Sequence, residues 1–273
     1  MRVALTGASG LVGQFIAQRL IADGHALVAL GRPSPWGGEA RDWRLGEPAP
    51  LAGCDALVHC AFAHLPGRYR GGEGDDPERF LRLNRDGTLR LWQEARGRRI
   101  VFLSSRAVYD GLPEGAALTE DRPLAPPTLY GQVKLAAEAA LHDQGGASLR
   151  ATGVYGPPAP GQQHKWADLF AAFAAGTALP PACGTEVHGA DVADAVMRLL
   201  GQDRAGAFNC SDLLLDRHDL LAAWSRIAGV QGPLPERSTA RPAVMDCTRL
   251  RALGWKPGGR DALEAALRQM ARL

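Results

Sequence analysis

No long apolar run occurs in this chain of 273 residues. A membrane-crossing helix needs about 18 or more apolar residues in succession, and the opening MRVALTGASG reaches glycines at once instead of forming a basic and apolar leader. Neither positive nor negative charge is in large excess, because the formal net charge is only +2 and acidic and basic residues are interspersed. We therefore expect a soluble, unprocessed protein whose main partner is neither nucleic acid nor a membrane.

Cysteine pairs are also missing. The number of cysteines is odd, they lie far apart and they form no CxxC motif: Cys54, Cys60, Cys183, Cys210 and Cys247. This pattern predicts neither a disulfide framework nor a zinc knuckle, and reduced thiols fit a cytoplasmic protein. The histidines show no metal-ligand spacing either, at His59, His64, His164 and His188. We expect no metal site.

Lysine is scarce, since only three of the 31 basic residues are lysines: Lys134, Lys165 and Lys256. One of them, Lys134, stands four residues after Tyr130 in the segment LYGQVKL, where Thr128 is a candidate helix N-cap. On a helix, residues at this spacing share a face. A nearby ammonium lowers the pKa of a phenol from about 10 towards the range of a general acid/base. The pair therefore predicts an acid/base site.

In the first half of the chain, short apolar runs alternate with helical patterns. We expect strands at Val3 to Leu5, Ala26 to Leu30, Ala56 to Cys60 and Ile100 to Leu103, and helices over 11–21 and 77–95. This spacing predicts parallel βαβ units, and so an α/β fold with a Rossmann-type doubly wound parallel sheet. We expect a dinucleotide-binding domain over 1–155, completed by about 185–211, and a smaller substrate-binding lobe over 156–273 interleaved with it.

The segment TGASGLVG places glycines between the first predicted strand and the first predicted helix, at Gly7, Gly10 and Gly13. Such a turn lets a diphosphate approach backbone N–H groups at a helix N-terminus, where the helix dipole favours an anion. A plain strand-to-helix turn is the alternative, and the strand before and helix after favour dinucleotide binding.

Further motifs follow in a definite order: LVHCAF at 57–62, NRDGT at 84–88, FLSSRAVYD at 102–110, LRATGVYGPP at 149–158, VHGADVADAV at 187–196 and LGWKP at 253–257. Together with TGASGLVG and YGQVK, this order resembles the extended short-chain dehydrogenases/reductases, the NAD-dependent epimerase/dehydratase-like group that modifies nucleotide sugars. The resemblance covers nearly the whole chain.

The resemblance implies roles for individual residues. Tyr130 would exchange a proton with a carbinol or carbonyl oxygen, Ser105 would hydrogen-bond that oxygen, and Lys134 would lower the pKa of Tyr130 and hold the nicotinamide ribose. Asn84 falls at the family's structural and proton-relay position. The implied cofactor-binding residues are Gly7, Ser9, Gly10, Leu11, Val12, Gly13, Arg32, Ala61, Ser104, Tyr130, Lys134, Gly153 and Val154. Tyr109 and Tyr155 are interpreted as packing residues.

The resemblance also narrows the reaction. Dehydratases of the family carry an Asp-Glu pair after the active-site Ser or Thr, and enolising epimerases carry a cysteine, whereas Arg106 and Ala107 stand at these positions here. Hydride chemistry remains, in a net oxidoreductase or in a 4-epimerase. Gly153 replaces the family's usual asparagine, and the C-terminal lobe is short, which ranks a reductase or dehydrogenase slightly above an epimerase. A non-catalytic redox sensor is the alternative of another class.

The second predicted strand is followed by GRPSP, with no acid before Glu39. An NAD-preferring site usually has an Asp or Glu there, so we expect Arg32 to favour NADP, with NAD as the alternative. The glycine-rich segment HLPGRYRGGEGDD carries Arg68 and Arg70 as candidate substrate residues, with a flexible solvated loop as the alternative. Arg241 resembles a family arginine that contacts a diphosphate, with a surface arginine as the alternative. We expect a small-molecule substrate, with an anionic sugar derivative among the candidates, and allow for a homodimer.

Overall fold

The computed structural model describes residues 1–65, 71–113 and 115–273. Its strands are β1 (Arg2–Thr6), β2 (Ala26–Leu30), β3 (Glu39–Arg41), β4 (Ala56–His59), β5 (Arg99–Ser105), β6 (Ala147–Ala151), β7 (Gly153–Tyr155), β8 (Cys183–His188), β9 (Gly206–Cys210) and β10 (Leu213–Asp216). Seven of them form one sheet in the order β3-β2-β1-β4-β5-β6-β9. All of its pairings are parallel, with Val3 opposite both Leu27 and Ala56. The predicted doubly wound α/β fold is confirmed.

The helices are α1 (Gly13–Ala22), α2 (Pro77–Leu81), α3 (Gly87–Glu94), α4 (Leu129–His142), α5 (Ala167–Ala174), α6 (Gly189–Leu200), α7 (Arg217–Ala228), α8 (Thr248–Arg251) and α9 (Gly259–Met270). In the described part of the chain, none of them is long and apolar enough to cross a membrane. The helix predicted over 77–95 is wrong in one respect, because a π-helical turn (Arg82–Asp86) separates α2 from α3.

Alternate residues of the central strands face two helical layers. On β1, Val3 and Leu5 belong to the core beneath α1 and α6, whereas Ala4 belongs to the core beneath α3 and α4. This is the two-residue period of a strand, applied to a sheet that is covered on both faces. Continuous apolar runs such as Val3 to Leu5 follow from that double burial.

A second, three-stranded sheet in the order β10-β8-β7 packs with α5, α7 and α9 around a separate hydrophobic core. Its core includes the stacked rings of Phe170 and Trp224, whose centroids are 4.1 Å apart. The chain passes between the two sheets more than once: β7 and β8 are in the small sheet, β9 returns to pair with β6 in the large one, and β10 joins the small sheet again.

Candidate active site

A cavity of about 740 Å³ opens where several strands of the large sheet end. Gly7 follows β1, Cys60 follows β4, Ser105 ends β5 and Thr152 follows β6, and all four line this cavity. The strand order reverses direction at β1, between β2 and β4. In open parallel sheets ligands bind at such a switch point, beyond the carboxyl ends of the strands.

The glycine turn lines one side of this cavity and is tightly folded. Gly7 has a φ of +70°, and a methyl group on it would lie 2.9 Å from the backbone nitrogen of Ala61. A methyl group on Gly13 would lie 2.1 Å from the Gly7 carbonyl oxygen. Glycine is therefore required at both positions.

The turn leads into the N-terminus of α1, which has neither a side-chain cap nor an acidic residue in its first turn. A diphosphate at the cavity wall would meet backbone N–H groups and the positive end of the helix dipole without competition from a carboxylate. The residues present therefore fit a dinucleotide.

Tyr130 and Lys134 project from one face of α4, and both line the cavity. The predicted cap is present, because the Thr128 hydroxyl accepts a hydrogen bond from the Gly131 N–H at 3.2 Å. Gly131 also lets α4 approach the end of β5 closely, since a methyl group there would lie 2.7 Å from the Ala107 carbonyl oxygen. The helix is thereby fixed next to Ser105.

The ammonium of Lys134 is almost fully buried, with 3% of the residue exposed. It donates a 2.8 Å hydrogen bond to the Leu103 carbonyl and lies 4.6 Å from the ring centroids of both Phe62 and Phe102. Burial lowers the pKa of Lys134 from 10.5 to about 8, an effect that the nearby Glu138 carboxylate opposes. The aromatic faces support the charged form.

Two serines end β5 at the cavity. The Ser105 hydroxyl oxygen accepts a 3.1 Å hydrogen bond from the Ala107 N–H and so caps a short 3₁₀ helix (Arg106–Tyr109). Its own proton can be donated to a ligand. The Ser104 hydroxyl is buried and has no hydrogen-bond partner among the described residues. Such a buried polar group is stabilised when a ligand supplies its partner.

Asn84 lies apart from this cavity lining. Its carboxamide accepts from the Ala63 N–H at 2.7 Å and donates to the carbonyls of Ala63 and Phe80 at 2.7 Å and 3.0 Å. The residue is 1% exposed. These bonds hold the segment after β4, which includes the cavity residues Ala61 and Phe62. Asn84 therefore positions cavity residues, and its proton-relay role stays a prediction.

None of the three arginines predicted to bind substrate is among the described residues that line the cavity. Arg68 and Arg70 lie outside the described residues. Arg241 is exposed and does not line the cavity, although its neighbour Pro242 does. All the other predicted cofactor and catalytic residues except Asn84 line it.

Several cavity residues were not identified from the sequence, including Trp43, Phe62, Lys165 and Thr185. The scarcity of lysine was a usable signal for Lys165, because two of the three lysines of the chain line this cavity. Trp43 follows β3, and its indole N–H donates to the Glu47 carbonyl at 3.1 Å. No motif around it points to a ligand.

The charged side chains in the described cavity lining are all basic. In the described part of the chain, the cationic side chains that line the cavity belong to Arg32, Arg106, Lys134 and Lys165. Among the described residues, no aspartate or glutamate is part of the lining. The thiol of Cys60 is not a source of negative charge, because burial raises its pKa to about 12. This cavity suits anionic ligands.

Arg32 lies at the end of the cavity formed by Gly31, Trp43 and Leu45. Gly31 has a φ of +96°, which lets the backbone turn directly after β2. The first carboxylate after β2 is Glu39, which accepts a 2.7 Å hydrogen bond from Arg41 and also pairs with Arg2. Glu39 is therefore engaged away from the cavity.

The model of the NAD dependent epimerase/dehydratase family matches residues 3–211. A UDP-glucose 4-epimerase of Mycolicibacterium smegmatis is 29% identical, with 94% of both chains covered. A dTDP-6-deoxy-L-talose 4-dehydrogenase (NAD(P)(+)) of Kitasatospora kifunensis is also 29% identical, over 98% of this chain and 94% of that protein. Among solved structures, MoeE5 in complex with UDP-glucose and NAD is 25% identical with a TM-score of 0.81, over 100% of this chain and 99% of that one.

Proposed function

This chain belongs to the NAD dependent epimerase/dehydratase family, and from that membership we propose that it is an oxidoreductase acting on a sugar-like or nucleotide-sugar substrate. It transfers hydride at a secondary alcohol or ketone carbon, with Tyr130 as the acid/base. The family is described as NAD dependent, and the two relatives that match almost the whole chain are an epimerase and a dehydrogenase by name. A non-catalytic sensor is therefore the weaker interpretation.

The observation that carries the proposal is the shared location of Ser105, Tyr130 and Lys134 with the glycine turn in a single cavity. Three polar groups that come from β5 and α4 converge beside a site that fits a dinucleotide. An acid/base next to a hydride carrier is what alcohol–ketone interconversion requires.

In this reaction a bound nicotinamide cofactor supplies or takes up the hydride. Tyr130 gives a proton to the substrate oxygen during reduction and removes it during oxidation. Ser105 donates a hydrogen bond to the same oxygen, because its own oxygen is already engaged by the Ala107 N–H. The Lys134 ammonium, 5.9 Å from the centroid of the Tyr130 ring, stabilises negative charge on the phenol oxygen.

A net reductase or dehydrogenase is favoured over dehydration by the composition of the wall. Dehydration needs a group that removes a proton from carbon and another that protonates the leaving hydroxyl, and no carboxylate lines the described part of the cavity. Arg106 and Ala107 occupy the turn after Ser105, and Arg106 donates to the Ala243 carbonyl at 3.1 Å.

A 4-epimerase is the second candidate, favoured by the similarity to UDP-glucose 4-epimerase along almost the whole chain. Mass spectrometry of protein purified without added cofactor separates the two. Retained NAD⁺ supports the epimerase, because such an enzyme returns its hydride. An empty site that consumes reduced cofactor with a ketone supports the reductase.

For the cofactor we propose NADPH in preference to NADH. Arg32 stands where a carboxylate would repel a 2′-phosphate, and the nearest acid along the chain, Glu39, is engaged with Arg2 and Arg41. A guanidinium can pair with a phosphate through two hydrogen bonds.

The test of the proposed function is Tyr130→Phe, which keeps the ring and removes the proton. We expect turnover to fall about 10²-fold or more, with cofactor affinity nearly unchanged. Tyr155→Phe is the matched control, because the Tyr155 hydroxyl is buried and has no hydrogen-bond partner in the described part of the chain. Wild-type turnover in Tyr130→Phe would show that the acid/base lies elsewhere.

A further inference from the structure

One lysine of the cavity lining is held in an ion pair for which the proposed reaction has no use. Lys165, from the segment before α5, meets Glu186 of β8 with its ammonium 2.6 Å from Oε1 and also in contact with Oε2. The two side chains are 27% and 14% exposed. Lys165 and Gly153 line the cavity, and the Glu186 carboxylate, which is not part of the lining, lies directly against both of them.

The ion pair occupies the space that a side chain at residue 153 would fill. Gly153 of β7 is opposite Glu186 in the parallel pairing of β7 with β8. A methyl group on Gly153 would lie 2.6 Å from both the Lys165 nitrogen and Glu186 Oε2. Since β7 directly follows β6 at the cavity, the polar atoms presented beside Gly153 belong to this pair.

The use of lysine at this position is unusual for the chain. Each of the other ion pairs found within the described residues uses an arginine. Arginine holds a carboxylate in a fixed planar geometry, whereas an ammonium has three donors that can rotate towards a second acceptor. A partly buried ion pair also adds little stability, because desolvation offsets its attraction. Ligand recognition explains this lysine better than structural support does.

We propose that Lys165 and Glu186 together bind neighbouring hydroxyl groups of the sugar part of the substrate. This inference rests on the proposed function, since it requires a sugar in the cavity. The ammonium donates to one hydroxyl oxygen, and the carboxylate accepts from the next hydroxyl. The pair carries no net charge, and Glu186 repels anions, so this subsite selects neutral hydroxyls over a carboxylate or phosphate.

The experiment uses the full chain saturated with NAD⁺ and two matched pairs of probes. These are UDP-glucose with UDP-glucuronic acid, and D-glucose with D-glucuronic acid, whose members differ only in a hydroxymethyl group or a carboxylate. Calorimetry should show tighter binding of the neutral member by the wild type. Lys165→Met should weaken that binding about tenfold or more. Glu186→Gln leaves the ammonium uncompensated and should narrow or reverse the preference for the neutral member.

Two controls accompany these variants. Lys256→Met removes the one lysine of the chain that does not line the cavity and should leave all affinities at wild-type values. The affinity for NAD⁺ should not change in Lys165→Met or Glu186→Gln. If Lys165→Met does not fold, the double variant Lys165→Met/Glu186→Gln removes both charges together and tests the same loss of binding.

Probe affinities equal to those of the wild type in both variants would overturn the inference. A selective loss of NAD⁺ affinity would also overturn it, because the pair would then belong to the cofactor site. The failure of every probe to bind the wild type would overturn it as well. The proposed function fails in a different way. If sugar binding depends on Lys165 and Glu186 but no hydride is transferred and Tyr130→Phe changes nothing, the subsite stands and the proposed reaction falls.

Discussion

At the scale of a single residue, the proposed preference for NADPH depends on Arg32, which lines the cavity. We expect NADPH to bind more tightly than NADH, because a charge-assisted pair with the 2′-phosphate contributes about 1.5–3 kcal/mol. Arg32→Ala should remove most of the difference and leave NADH affinity nearly unchanged. Fluorescence titration of both nucleotides at low and high salt measures this, and the preference should weaken as salt rises. Equal affinities in the wild type would contradict the proposal.

The protonation state of Lys134 should also change the affinity for the cofactor. Its pKa is lowered to about 8 by burial, so its ammonium is intact below that pH and loses its proton above it. An anionic dinucleotide favours the charged form, and we therefore expect cofactor affinity to be full at about pH 7 and reduced at about pH 9.5. Binding near the pKa should take up a proton, which calorimetry in buffers of different ionisation enthalpy detects.

Lys134→Arg is the matched variant for this measurement, because a guanidinium keeps its charge across the whole range. Its cofactor affinity should be lower but independent of pH between those two values. A wild-type affinity that does not change through the same range would mean that the charge of Lys134 is not coupled to cofactor binding.

At the scale of elements, the π-helical turn between α2 and α3 holds the segment after β4 through Asn84. Asn84→Ala removes all three hydrogen bonds and leaves the Ala63 N–H and C=O without their partner. We expect the free energy of unfolding to fall by about 2–3 kcal/mol, measured by urea denaturation. Gln93→Ala is the control, since it removes an exposed amide from α3. A change of only a few tenths of a kcal/mol in Asn84→Ala would contradict this positioning role.

The π-helical turn is also a feature that the sequence alone did not predict. The strand and helix alternation, the glycine turn and the Thr128 cap are local patterns, and each was predictable from neighbouring residues. The π-helical turn was not, because the helical pattern continues through Leu81 and Asn84, and the Asn84 carboxamide bonds to the backbone of Ala63, 21 residues away along the chain. Lys165 lies in a segment rich in Gly and Pro, and its partner Glu186 comes from β8. No local pattern connects those two residues.

At the scale of the whole molecule, Asp191 connects the layer of α6 to the beginning of α9. Its carboxylate accepts from the Gly258 N–H at 3.1 Å, and its carbonyl accepts from the indole of Trp255 at 2.9 Å. Burial is the main cause that raises the pKa of Asp191 from 3.8 to about 6, and the neighbouring Asp212 and Asp194 raise it further. The folded protein therefore holds this proton more tightly than the unfolded chain does.

The sign of the pH effect follows from that difference. Between the two pKa values the folded state binds more protons, so the contribution of Asp191 to stability is largest in acid and is lost as pH rises through about 6. Asp191→Asn should reduce the difference in unfolding free energy between about pH 5 and about pH 7.5. Asp261→Asn, an exposed carboxylate of α9, should leave that difference unchanged. An unaltered pH dependence in Asp191→Asn would show that other groups cause it.

The return of β9 to the large sheet also has a consequence for how the chain folds. The pairing of β6 with β9 joins segments that are separated by β7, α5, β8 and α6. Pairing β9 with β6 therefore closes a loop of more than fifty residues, and such non-local contacts slow folding because loop entropy is lost before the contact forms. During synthesis, one edge of β6 stays unpaired until more than fifty further residues have been added, and an unpaired strand edge is a template for association with another chain.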